Sequence, residues 1–247
     1  KAADVWRGHP VYALDGTSFM LPDSRTNEEA FGRPATSRGR AKSAYPRLRA
    51  LVAVGVFTHL IRHVAFDAFS VGELTLAERL LPEIQKGSLL LMDPLFTSYA
   101  WLAGLARKRV HFLVRGKEGP RLVRVRGVKG TTANDYRARL EVPNKLKGRK
   151  DLPASLEVRV IKLSAPGREG KQREITLVTS LLSRTKYPAS KVAELYWARW
   201  EAELAYREIK THQAAKQVTF RSQDPDRRTS ARTGSGRQQA ARVSRAH

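Results

Sequence analysis

The stretch YWARWEAELAYREIK, Tyr196 to Lys210, decides how this chain reads. On a helix each residue advances by about 100°, so Tyr196, Arg199, Glu203, Tyr206 and Lys210 fall within a sector of roughly 80°. They form one polar line. Trp197, Trp200 and Leu204 flank it on one side, and Leu195, Ala198, Ala202, Ala205 and Ile209 lie on the other. Glu194, Glu201 and Glu208 recur every seven residues and mark the expected solvent face. Charges held between apolar flanks are costly unless they are paired or used. The plainer alternative is i,i+4 pairing of Arg199 with Glu203 and of Glu203 with Arg207, worth about 0.2–0.5 kcal/mol on an exposed helix.

Two acids upstream bear on that choice. Asp15 sits within VYALDGTSFML (Val11 to Leu21), an apolar strand-like run. Asp93 ends the run LLLMD, and ligand sites in α/β sheets gather at the carboxyl ends of strands. Each has a second reading. Asp15-Gly16 is a hairpin-turn signal, and Asp93 before Pro94 suits a turn or a helix entry. Together with Glu203 they supply two strand carboxylates and one helix carboxylate. Such a set suits a pair of hard cations about 3.5–4 Å apart, which activates the attacking oxygen and stabilises the leaving one in displacement at phosphorus. Arg199 and Lys210 could hold phosphates, and Tyr196 could hydrogen-bond a phosphate or stack on a base.

The rest of the chain frames these residues. RLRALVAVGVF (Arg47 to Phe57) and HLIRHVAF (His59 to Phe66) predict a hairpin, and GSLLLMDPLF (Gly87 to Phe96) a short buried strand. Val71 to Ile84 has helical apolar spacing. Thr97 to Arg109 predicts a second helix, with Thr97 or Ser98 as its cap and basic residues in its last turn. VHFLVRG then returns as a strand. This order points to an α/β fold, a mixed sheet with flanking helices. From about Pro120 to Ser183, RLVRVRGV, YRARLEV, SLEVRVIKL and REITLVTSLL alternate apolar with basic residues, as strands with one wet, positive face would. Ser190 is the expected N-cap of the final helix. Arg227 to His247 holds six arginines, no acid and only Val243 as a larger aliphatic residue, so disorder is expected there.

The 247 residues carry 46 Lys and Arg against 23 Asp and Glu, a formal net charge of +23. That surplus makes a polyanion the expected partner, with nucleic acid the first candidate because phosphate neutralisation releases counterions. No apolar run approaches a membrane span, and no signal peptide is present. The absence of cysteine excludes disulfides and thiolate metal sites and fits a reducing cytoplasm. His9, His59, His63, His111 and His212 show no ligand spacing and read as core or surface residues.

These residues resemble the DDE transposases of bacterial insertion sequences, in the group whose catalytic helix carries Tyr, two residues, Arg, three residues, Glu, six residues, Lys. Tyr196, Arg199, Glu203 and Lys210 fit that signature without a gap. LDGTSFMLPDSRTNEEAFG resembles the block around the family's first acid, with Asp15 in that place. LLLMDPLFTS resembles the block around the second, where Asp93 and Phe96 match but Pro94 and Leu95 replace the usual pair. The likeness spans roughly Val11 to Ser222.

It implies a ribonuclease H-like mixed sheet, interrupted by a β-rich insertion between the second Asp and the Glu. The expected organisation is a first part of the core over 1–117, the insertion over 118–186, the catalytic-Glu helix over 187–222 and a disordered basic tail over 223–247. Asp15, Asp93 and Glu203 would be catalytic and would bind two Mg²⁺ ions, for which Mn²⁺ substitutes; Tyr196, Arg199 and Lys210 would contact DNA. A tryptophan in the family's insertion stacks on a flipped base, and this insertion has none, so no residue takes that role. The implied activity is cleavage of strands at the ends of an insertion sequence and their transfer into target DNA, by a homodimer in a synaptic complex in the bacterial cytoplasm at the nucleoid. Lys1 in place of Met, and the lack of the family's flanking segments, imply a remnant truncated at both ends, with its frame lost near Asp226. Two other readings stay open: a nuclease of the same fold that cuts without joining, and a basic nucleic-acid-binding protein whose acids are structural.

Overall fold

The computed structural model describes residues 4–35, 42–116, 121–166 and 172–212, with the side chains of 165–166, 172–173 and 201–212 outside that description. The tail expected to be disordered over 223–247 lies outside the described residues. In chain order the elements are β1 (Val5–Trp6), β2 (His9–Met20), α1 (Arg25–Phe31), β3 (Arg47–Gly55), β4 (Ile61–Ala68), α2 (Glu73–Leu80), β5 (Leu89–Met92), α3 (Tyr99–Lys108), β6 (His111–Gly116), β7 (Leu122–Arg124), β8 (Asp135–Glu141), β9 (Ser155–Pro166), β10 (Gln172–Thr179) and α4 (Ala189–His212).

Among the described residues, the strands belong to one 10-stranded sheet in the order β4-β3-β2-β5-β6-β10-β9-β8-β7, with β1 paired to β2 off that path. β5 lies parallel to both β2 and β6, and the other pairs are antiparallel. The sheet is mixed, as the sequence predicts. β3 and β4 form the expected hairpin. Asp4 ties its turn by accepting from the amides of Phe57 (3.0 Å) and Thr58 (2.8 Å), from the Thr58 hydroxyl (2.6 Å) and from Arg62 Nη2 (3.0 Å). Gly55 is required beneath this knot, because a Cβ there would lie 2.1 Å from an Asp4 carboxylate oxygen.

Alternating side chains divide the interior into two layers. On one face Leu14, Leu90, Met92, Phe112 and Val114 pack against Leu76, Ala77 and Leu80 of α2 and Trp101, Leu102 and Leu105 of α3. On the other, Val11, Ala13, Leu89, Leu91, Leu113 and Leu177 pack against Val192, Leu195 and Tyr196 of α4. α4 thus lies on the face opposite α2 and α3, the face on which Phe31 of α1 also packs against Phe19, Leu48 and Ala50. Ser98 occupies the N-cap of α3 as expected, though its side chain makes no capping bond. Ser190 does not cap α4. The helix starts one residue earlier, with the Val192 amide donating to the Pro188 carbonyl at 3.0 Å, which places Ser190 inside the first turn.

The strands after Pro120 extend the same sheet, because β10 pairs with β6. Their expected wet, basic face is only partly wet. Arg159 of β9 is fully buried, since the chain returning from β10 to α4 crosses above it and the Tyr187 carbonyl accepts from its Nη1 at 2.6 Å. Its other nitrogens donate to both Asp135 oxygens at 2.7 Å, and Arg184 donates to Asp135 at 3.1 Å. Burial alone would raise the Asp135 pKa, but these guanidiniums overcome it and hold the carboxyl below its ordinary range. His9 and His111 pack against each other. His9 bridges the Gly87 carbonyl and the Tyr187 hydroxyl, each at 2.7 Å, and His111 lies edge-on to it with ring centres 4.8 Å apart.

Candidate active site

The parallel strands decide where the acids go. Val11 lies opposite Leu89, Tyr12 opposite Leu90 and Ala13 opposite Leu91. Carried two residues further, this register sets Asp15 level with Asp93. On the far side of β5, Leu91 lies opposite Leu113 and Met92 opposite Val114, so the next rung sets Arg115 level with Asp93. Ala13, Leu91 and Leu113 belong to the layer beneath α4, and strand alternation carries Asp15 and Arg115 to that same side.

Asp15 lies within β2 and is half-buried, so it is a strand residue and not the turn that Asp-Gly alone would signal. β5 stops at Met92, and Asp93 begins a single 3₁₀ turn, Pro94–Phe96. Its Oδ1 accepts from the Leu95 amide at 2.8 Å, and Phe96 is driven into the core at 1% exposure. Proline suits the first position of such a turn, where its missing N–H costs nothing. The Pro94-Leu95 departure from the family pattern therefore leaves the acid at the strand's carboxyl end.

α4 brings two of the expected polar residues over this end. Tyr196 and Arg199 are each only 4% exposed, and the guanidinium carbon of Arg199 stands 5.3 Å from the Tyr196 ring centre. Burial raises the Tyr196 pKa, the nearby charges of Arg199 and Arg115 oppose the rise, and Asp93 adds to it. Tyr196, Arg199, Arg115 and Asp93 thus share one electrostatic neighbourhood. The polar line is buried where it is described, as the sequence argument requires. The tryptophan flank is not: Trp197 is 39% and Trp200 58% exposed, because the helix turns Val192, Leu195 and Tyr196 to the sheet and that edge outward. Glu203 and Lys210 are residues of α4, and their side chains lie outside the described residues.

Glu73, which the sequence reading did not single out, joins the acids. It opens α2, and a Cβ built on Gly16 would lie 2.2 Å from its carboxyl carbon and 2.4 Å from either oxygen. A side chain beside Asp15 would push that carboxylate aside. Burial raises the Glu73 pKa, Arg49 lowers it, and Asp93 and Asp15 raise it further. In sequence it reads as an ordinary first-turn acid favoured by the helix macrodipole. Arg115 was missed because it closes a strand in a chain already rich in arginine.

Comparison with known proteins adds to this geometry. The model of the family described as transposase DDE domain matches residues 6–228. The chain belongs to that family. The transposase InsG for insertion sequence element IS4 of Escherichia coli (strain K12) is 29% identical over 224 residues, 90% of this chain and 48% of that protein. A putative transposase InsZ of the same strain is 31% identical over 105 residues, 42% of this chain and 35% of its own length. The chain spans about half the length or less of these curated relatives.

The DDE transposase family generally uses a divalent metal ion, and the described acids fit one in part. A carboxylate within β2 and another just past the end of β5 offer the oxygen ligands that a hard cation takes. Among the described residues, no group of three or more His, Asp or Glu side chains could hold a metal ion. The third acid of the family pattern, Glu203, is among the side chains not described. No helix of the described residues is long and apolar enough to cross a membrane.

Proposed function

We propose that this chain carries the catalytic core of an insertion-sequence DNA transposase, which cleaves strands at the element's ends and transfers them into target DNA. The observation that supports the reading is the parallel register of β2 and β5, which ends at Ala13 and Leu91 and, extended past that pair, runs toward Asp15 and Asp93, within a chain whose family match runs over 6–228. In this reading Asp15, Asp93 and Glu203 hold divalent cations, Mg²⁺ with Mn²⁺ as substitute. When bound, such ions supply charge stabilisation for both the attacking and the leaving oxygen at phosphorus.

The remaining roles fall to the chain's own groups. Arg115 and Arg199 supply fixed positive charge for a phosphate at the acids, Arg199 being held in place by its burial against Tyr196. The Tyr196 hydroxyl, with its pKa raised, stays protonated at neutral pH and so remains a hydrogen-bond donor. Lys210, further along α4, extends the same line toward the DNA backbone. The net charge of +23 adds sequence-independent attraction for the duplex. The strands of 118–186 serve as the insertion that carries the chain from the second acid to the helix of the third. The acting form is a homodimer on DNA in the bacterial cytoplasm.

The test is an assay with Mn²⁺ on a supercoiled plasmid bearing the element's ends, using the full chain beside Asp15→Asn, Asp93→Asn and Glu203→Gln. Each variant is expected to bind DNA normally and to lose cleavage by roughly 100-fold or more, beyond what loss of an outer-shell partner costs. Cleavage without joining would assign a nuclease instead. DNA binding with no metal-dependent cleavage, indifferent to all three substitutions, would assign a basic DNA-binding protein.

A further inference from the structure

We propose that Glu73 is a positioning residue of the acid site, which sets the affinity of Asp15 and Asp93 for a divalent cation without being a ligand itself. The inference rests on the reading of those two aspartates as cation ligands and adds a residue that the family's three-acid pattern does not contain.

Glu73 reaches from the first turn of α2 to Gly16, and its carboxylate fills the volume that any side chain at 16 would need. It therefore braces the backbone immediately after Asp15. That brace matters because β2 loses a partner there: β5 pairs with it only at Val11, Tyr12 and Ala13, while β3 continues to pair with it as far as Met20.

Glu73 is half-buried and feels the negative fields of both Asp15 and Asp93. Among the described residues its carboxylate makes no hydrogen bond or ion pair. Arg49 is the nearby cation that offsets it, and the Arg49 Nη1 is already donated to the Val71 carbonyl at 2.9 Å. Like charges on the two sides of one strand end repel each other, and a cation at the two aspartates would relieve that cost.

Direct ligation is not what the geometry supports, since Glu73, Asp15 and Asp93 do not form a group that could hold a metal ion among the described residues. What remains is influence through the aim of Asp15 and through added negative potential. Outer-shell partners of metal ligands typically change affinity by about 10–100-fold.

Calorimetric titration of Mn²⁺ into the 247-residue chain tests this without any turnover. Glu73→Gln keeps the shape against Gly16 and removes the charge, and a roughly tenfold weaker Mn²⁺ affinity is expected, with the circular-dichroism spectrum unchanged. Gly16→Ala keeps the charge and displaces the carboxylate, so it should weaken Mn²⁺ binding in the same direction. If either variant folds and binds Mn²⁺ as tightly as the parent while Asp15→Asn does not, Glu73 is a packing residue and the inference is overturned. If Asp15→Asn and Asp93→Asn also leave Mn²⁺ binding unchanged, the cation reading of the site itself fails.

Discussion

Asp135 and Asp93 are aspartates of the same sheet, yet their surroundings have opposite logic. Asp135 is 9% exposed and is clamped by two guanidiniums, one of them, Arg159, fully buried. Asp93 stands at a strand's end, takes one bond from a neighbouring amide, and shares its field with Asp15's close neighbour Glu73. The first arrangement satisfies its charge within the protein and locks β8 and β9 to the entry of α4. The second gathers negative charge on one end of the sheet in a strongly basic chain. An acid clamped by a buried arginine is architecture, whereas acids gathered at a strand's carboxyl end suit a site.

The comparison breaks if the two regions respond alike to substitution. The largest effect is expected at the gathered acids: Asp93→Asn should cut metal-dependent DNA cleavage by roughly 100-fold or more while the urea midpoint stays close to the parent's. Asp135→Ala should do the reverse. It strands the buried charge of Arg159, which costs about 3–5 kcal/mol of stability by urea denaturation, and it should leave the Mn²⁺ affinity of the folded fraction unchanged.

Acid sharpens the same contrast. The Asp135 carboxyl, ordinarily near 3.8, is held lower in the folded chain by Arg159 and Arg184 against the opposing effect of burial. A depressed folded value means that its stabilisation is complete above the unfolded value and is lost as pH falls below about 4 toward the folded one. Asp4 adds to the same window, because its bonds from Thr58, Arg62 and Phe57 outweigh burial and lower its pKa as well. Urea midpoints followed from pH 6 to pH 3 should therefore drop, and Asp135→Asn should drop less steeply. The smallest effect belongs to Arg62, which touches the buried Asp4 with a side chain 41% exposed. Arg62→Met should cost about 1 kcal/mol or less, since Asp4 keeps its bonds to Thr58 and Phe57.

Much of this was legible in the sequence because it is local. Alternation fixed β2, β3 and β4, helical spacing fixed α2 and α3, and an acid inside or ending an apolar run marked Asp15 and Asp93. What escaped depends on contacts distant in the chain. Nothing near Arg159 announces that Tyr187 will cover it, so a basic residue at a wet-looking strand position was read as solvated. Glu73 meets Gly16 only because α2 docks on the opposite side of β2 from α4. The Trp197 and Trp200 edge was expected to be apolar contact surface, yet aromatic character alone does not say which way a helix rolls; Leu195 and Val192 decided it.

The proposed role of Asp15 and Asp93 as joint ligands of a divalent cation is directly open to test. Crystals of the chain grown with Mn²⁺ and measured for anomalous scattering test it most directly. An anomalous peak beside the two carboxylates, on the α4 side of the sheet, is expected. Mn²⁺ absent from that position while it occupies other sites would contradict it.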